Sequence, residues 1–168
     1  MAGHALRCRF QERRLPMQNV VFDALVHGVY IVTTRLGDKV NGMTASWVAQ
    51  VSLKPLLVMA SIAPPRYSHD LIKESGVFAL NVLRQDQVDL GKRFGYKSGR
   101  KVDKFAGLDW LSAASGAPIL PQAYAYLDCK LTDTFTAGDH TLFIGEVTEA
   151  KILHPQSAPL VFKKGDFF

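Results

Sequence analysis

Between Gly28 and Ser61 the chain reads GVYIVTTRLGDKVNGMTASWVAQVSLKPLLVMAS, and this stretch limits the fold more than any other. β-Branched and aromatic residues fill GVYIVTTR, Leu36-Gly37-Asp38-Lys39 supplies the residues of a tight turn, and apolar and small residues resume at Val40. That is the pattern of a β-hairpin. The second arm continues through Asn41-Gly42-Met43-Thr44-Ala45-Ser46. Glycine and small side chains there let a ligand approach the backbone, and Thr44 and Ser46 can present hydroxyls and amides to an anion. By composition alone the same run describes an ordinary polar strand edge.

Strand-like runs follow at 28–35, 40–52, 56–63, 76–84, 123–135 and 141–152. Two helices interrupt them. The first, over 68–75, has a Ser or His-Asp start and stops before Gly76; the second, over 85–94, has Asp86 in its first turn and Gly95 after its end. Many strands with only short helices predict a mainly β fold, closed into a barrel rather than doubly wound. Gly91, Gly95 and Gly99 recur every fourth residue in a basic helix-loop region, so they form no dinucleotide-binding fingerprint after a strand.

A chain of 168 residues with 48% hydrophobic and 21% charged residues is long enough to bury a large core in one domain. Residues 1–15 are expected to form a flexible or partner-contacting arm and residues 16–168 the folded domain. The longest uncharged apolar run, Pro55 to Ala63, is too short to span a bilayer, and the first residues, MAGHALRCRFQERRLP, contain no apolar signal core. A cytoplasmic protein is expected. Cys8 and Cys129 lack CxxC spacing and paired histidines, which points to free thiols and no metal site. Net charge is +5, with basic clusters at Arg7 to Arg14 and in KRFGYKSGRKVDK at Lys92 to Lys104. Phe94, Tyr96 and Phe105 interleave the second cluster, so a groove that tracks a nucleic acid is one reading. A solvated helix end and loop is the commoner one, and a place beside an anionic cofactor is the most specific.

The runs VNGMTAS, VSLKPLLVMASI, YSHDLIKESGVFALNVL, the Lys104-Phe105 pair and AGDHTLFIGEV at Ala137 to Val147 keep the order of the flavin reductase-like family of FMN-binding split barrels. The chain resembles that family from about Val20 to its C-terminus. Within it the chain is most similar to flavoredoxins and to the flavin-binding half of high-molecular-weight rubredoxins, where a Trp and a Tyr-Ser pair occupy the places of Trp47 and Tyr67-Ser68.

The resemblance implies an FMN-binding split β-barrel with FMN ahead of FAD as cofactor, NAD(P)H as co-substrate, and a homodimer. Met43, Thr44, Ala45 and Ser46 resemble the family's loop against the isoalloxazine and ribityl chain, with Gln50 and Ser52 further along the strand. Ser61 and Ile62 end the next strand. Arg66, Tyr67 and Ser68 open a helix whose N-terminus suits a phosphate. Trp47 would stack on the flavin, restrict its exchange or lie in the dimer contact, against the plain alternative of a core Trp. Lys104 would neutralise the phosphate of the flavin or of a nicotinamide nucleotide, against a solvated lysine. Without the resemblance Gly138-Asp139-His140 is a hairpin turn; with it, His140 is the candidate catalytic residue that meets the nicotinamide. The implied function is an oxidoreductase that moves electrons from NAD(P)H to free flavin or to a rubredoxin-like or other small redox protein. An FMN electron carrier without NAD(P)H oxidation is the alternative, and a cofactor-free nucleic-acid-binding barrel the third.

Overall fold

The computed structural model describes residue 22 and residues 24–167; the expected arm at 1–15 and Cys8 lie outside them. In chain order the elements are β1 (Tyr30–Leu36), β2 (Lys39–Ala45), β3 (Val48–Leu53), β4 (Leu56–Ile62), α1 (Tyr67–Ser75), β5 (Val77–Val82), α2 (Val88–Tyr96), β6 (Leu111–Ser112), β7 (Pro118–Ile119), β8 (Ala125–Ala137), β9 (His140–Ile152) and α3 (Lys164–Phe167).

Two tight turns set the sheet's registers. Leu36 pairs with Lys39 and Ala137 with His140. In each turn the first central residue is a glycine in the left-handed region, Gly37 at φ 57° and Gly138 at φ 60°. Glycine at that position defines the type II′ turn, whose twist matches that of the flanking strands.

Seven strands make one antiparallel sheet in the order β2-β1-β5-β8-β9-β4-β3. Its two edges, β2 and β3, are consecutive in the chain and separated only by Ser46 and Trp47. The sheet therefore curls until its edges meet at that corner, which is the split barrel. The Val48 N–H donates to the Ser46 carbonyl at 3.0 Å and the Ser61 N–H to the Trp47 carbonyl at 2.9 Å, fixing the corner to β4. The single strand expected over 40–52 is consequently two strands, since its halves pair with opposite ends of the sheet.

α1 matches the helix expected over 68–75, but its N-cap is Arg66, which makes no side-chain capping bond. α2 departs further. Arg84 to Gln87 form a turn, with the Gln87 N–H on the Arg84 carbonyl at 2.9 Å. The Gln87 side chain accepts the Arg84 N–H and donates to the Gln122 carbonyl, both at 2.8 Å. The helix starts only after this turn. Gly95 lies inside its last turn rather than beyond its end, and Tyr96, whose hydroxyl donates to the Phe167 carbonyl, still belongs to it. The hairpin β6–β7 and the short α3 were not expected from the sequence.

Val32, Ile62, Phe78, Leu80 and Phe143 fill the barrel, and Ile72 of α1 reaches the same cluster. A second cluster lies outside β1, where Val29, Ile31, Phe94, Phe105, Leu160 and Phe167 join α2 and the C-terminal segment to the barrel wall. β1 is thus buried on both faces, as its near-continuous apolar and β-branched run allows. Cys129 is free and buried in the barrel; burial first and the charge of Asp128 second push its thiol up to about 12, so it carries no thiolate near neutral pH.

Candidate functional site

A long crevice runs from the barrel's corner to the start of α1. Its wide part, about 1220 Å3, is walled by the corner residues Ala45 to Val48, by Ser61 and Leu142, and by the C-terminal Phe162 to Lys164. Its narrow part, about 230 Å3, lies between Asn41, the first turn of α1 and the segment Gly95 to Gly99. Met43, Thr44, Arg66, Gly95 and Tyr96 line both. Among the described residues no carboxylate lines either part, so the wall they form is cationic.

Lys104 carries much of that charge. Only 6% of it is exposed, and its ammonium donates to the Phe94 carbonyl at 2.9 Å. Burial first and repulsion from Arg66 second push its pKa down to about 8. A desolvated ammonium beside a second cation is costly unless an anion joins them. Arg66 has no carboxylate within salt-bridge distance among the described residues. The first turn of α1 adds backbone N–H groups that no side chain caps, a natural complement to negative charge. Lys104 is held in place because its neighbour Phe105 is buried against Phe94, with ring centroids 5.1 Å apart, and because the Arg93 guanidinium donates to the Lys104 carbonyl at 2.9 Å.

At the other end of the crevice the rings of Trp47 and His140 pack with centroids 4.8 Å apart and planes at 51°. His140 comes from the β8–β9 turn, and its Nδ1 donates to the Asp139 carboxylate at 2.7 Å, which leaves Nε2 for a ligand. That bond holds the Asp139 carboxyl below its ordinary value. Trp47 is about half exposed, which excludes a core role.

The profile of the flavin reductase like domain matches residues 22–168. The chain belongs to the flavin reductase-like family. It is 36% identical over 148 residues to the high molecular weight rubredoxin of Moorella thermoacetica, covering 87% of this chain and 64% of that protein. The chain therefore spans less than two thirds of that relative. It is 36% identical over 143 residues to the reductase subunit HsaB of a flavin-dependent monooxygenase of Mycobacterium tuberculosis, covering 83% of this chain and 74% of that one. Among solved structures it is similar to the NADH:FAD oxidoreductase SgcE6 of Streptomyces globisporus C-1027, with a TM-score of 0.82, 32% identity and 92% of each chain covered; the same oxidoreductase has been solved with NAD and FAD fragments.

Measured against the family's expected site, the crevice gathers Met43, Thr44, Ala45, Ser46, Trp47, Ser61, Arg66 and His140 in its wide part and Met43, Thr44, Arg66, Tyr67, Ser68 and Lys104 in its narrow part. Three expected residues lie elsewhere. Gln50 and Ser52 sit on the edge strand β3 beside a bulge, where the Gln50 amide donates to the Ser52 carbonyl at 3.2 Å. Ile62 is fully buried in the barrel core: side chains alternate along β4, and Ser61 takes the face toward the crevice while Ile62 takes the core.

Other lining residues went unforeseen. His27 lines the wide part together with Phe162 to Lys164, because the Phe162 N–H donates to the His27 carbonyl at 2.8 Å and brings the chain's end beside β1. Only tertiary pairing could reveal that neighbourhood. Asn41 donates to the Ser68 hydroxyl at 2.8 Å, and its place in the NGMTAS run is the sequence signal that points to it. His154, outside the crevice, bonds the Pro121 carbonyl at 2.9 Å through Nε2.

The lowered Lys104 pKa has a consequence for the ligand-free protein. Between pH 8 and 10.5 the unfolded chain holds this proton and the folded one releases it, so the group's contribution rises with pH across that window. Cys129 and Tyr126, both pushed up to about 12, act in the opposite sense, so the measurement is a difference against Lys104→Met. Urea unfolding from pH 8 to 10.5 should move in favour of wild type relative to the variant by about 1–3 kcal/mol. A flat difference would mean that Lys104 keeps an ordinary pKa.

Proposed function

We propose that the crevice binds FMN and that the protein is an NAD(P)H-dependent flavin oxidoreductase that delivers electrons to free flavin or to a small redox protein in the cytoplasm. One observation carries the reading: the buried Lys104 beside Arg66 at the first turn of α1, opening into a wide apolar-walled cavity that no carboxylate of the described residues lines. A phosphate satisfies the first part and an isoalloxazine the second.

Arg66, Lys104 and the amides of Tyr67 and Ser68 hold the phosphate, and Met43 to Ser46 with Ser61 form the polar edge of the ring site. Trp47 and His140 cover its outer face. Bound FMN supplies acceptance of a hydride and release of electrons singly or in pairs. His140 orients the nicotinamide through Nε2; stacking distance governs hydride transfer more than acid-base help does. The reductases named above act on NADH with FAD or serve a monooxygenase by their names, which supports the class of donor and acceptor.

The carrier reading has an observation of its own. Trp47 and His140 pack against each other at the cavity, so a nicotinamide enters only if the rings part, whereas electrons can leave past them to a docked protein. The nucleic-acid reading is the least supported of the three: in the basic run Arg93 is tied to the Lys104 and Ala106 carbonyls, Arg100 to Pro65 and Asp70, and Lys104 is buried, so these three cations are already engaged within the fold.

Stopped-flow reduction of FMN-loaded wild type and His140→Ala by NADH and NADPH separates these readings. Reduction should slow by roughly tenfold to a hundredfold in the variant, with FMN affinity nearly unchanged. Equal rates would end the role of His140, and no reduction of the wild type by either nucleotide would leave the carrier. A homodimer is part of the same proposal, because Val51, Leu53 and Leu56 on the β3–β4 edge and Phe135 on β8 are exposed apolar side chains, the kind that C2 pairing covers. Light scattering at micromolar concentration should return twice 18.6 kDa; a stable flavin-loaded monomer would contradict it.

A further inference from the structure

The narrow end of the crevice is bordered by a strap, residues 97–100, that leaves α2 and turns back over the start of α1. Gly99 is pressed so tightly on Asn41 that a Cβ there would lie 2.0 Å from the Asn41 amide oxygen, so no channel passes between them. The side chain of Arg100 latches the strap to α1. The Arg100 guanidinium donates to the Pro65 carbonyl at 3.2 Å and to the Asp70 carboxylate at 3.1 Å, and lies 4.8 Å from the centroid of the Tyr67 ring. On the far side the strap returns to the buried Lys104. The narrow part it borders, about 230 Å3, falls below the roughly 300–1,000 Å3 of a pocket that takes in a drug-sized ligand whole.

Resting on the flavin reading above, we propose that the Arg100 latch is a specificity-determining element that selects a flavin monophosphate over a flavin adenine dinucleotide. A terminal phosphate ends at Arg66 and Lys104 with the strap shut. A dinucleotide must continue past that phosphate, and the way out is filled by Gly99 on Asn41, so the strap has to lift and the three Arg100 contacts have to break. Arg100 and Asp70 are both well exposed, and an exposed ion pair is a weak contact. The latch thus biases the choice without forbidding the dinucleotide. Lys cannot replace Arg here, because the forked guanidinium reaches a carbonyl and a carboxylate while its face lies on a ring.

The test is a fluorescence-quenching titration of wild type, Arg100→Ala and Arg100→Lys with FMN and with FAD, reading the ratio of the two dissociation constants. Wild type should favour FMN, and Arg100→Ala should shift the ratio toward FAD by on the order of tenfold, chiefly by improved FAD binding. Arg100→Lys should fall near the Ala variant. Tryptic cleavage after Lys97, Arg100 and Lys101 in the wild type gives a second readout that needs no variant: FMN should slow it and saturating FAD should speed it relative to FMN. An unchanged ratio in Arg100→Ala, equal affinity of wild type for both flavins, or equal cleavage rates would overturn the latch while leaving the flavin site intact. Binding of neither flavin by wild type would instead remove the flavin reading itself, and the latch with it.

Discussion

Only Ser46 and Trp47 separate the two edges of the seven-stranded sheet, and that covalent constraint organises everything else. A sheet whose first and last strands are joined by two residues has to curl until the edges meet. The meeting point is a corner where backbone is exposed to the crevice instead of paired in a ladder. Curling also gives the barrel an inner face, filled by Phe78, Phe143 and Ile62, and leaves β1 to be covered outside by α2 and the C-terminal segment. The crevice lies where these two layers part company, at the corner, with the first turn of α1 at its far end.

Electrostatics then separates the two ends of that crevice. Near the corner the walls are apolar and aromatic, with the His140 and Trp47 rings in contact. Near α1 two cations approach each other with Lys104 desolvated, an arrangement that disfavours the ligand-free protein and favours any anion that fits. Folding alone would be served better by an apolar residue at 104, since an uncompensated buried charge destabilises. In the proposed flavin site a phosphate offsets that cost, and the asymmetry of the walls suits a ligand with one anionic end and one flat apolar body.

The hairpin, the mainly β class, the order of the motifs and α1 were all legible in the sequence, because local turn chemistry and β-branched runs act over a few residues. Gly37 and Gly138 announced their turns by identity alone. What stayed hidden depended on pairing across the fold. Nothing at Ser46-Trp47 marks a break, since neither residue is a glycine or proline; the break exists because β2 pairs with β1 and β3 with β4. Gly95 looked like a helix stop, yet it sits within α2, 3.5 Å from Thr44 when a Cβ is placed on it. The burial of Lys104 was invisible for the same reason: its neighbours in a basic run read as solvated, and only the anchoring of Phe105 turns it inward. Gln50 and Ser52 lie outside the crevice because the edge strand carries them past the corner.

The central question is whether the two ends of the crevice take the two ends of one ligand. Equilibrium titration with FMN and with riboflavin, which share the ring and differ in the phosphate, tests it directly. Wild type should turn yellow with one FMN per chain, and riboflavin should bind weaker by on the order of a hundredfold, because the charge-assisted contacts to Arg66 and Lys104 are lost. A protein that remains colourless after excess FMN and desalting, or that binds riboflavin as tightly as FMN, would contradict it.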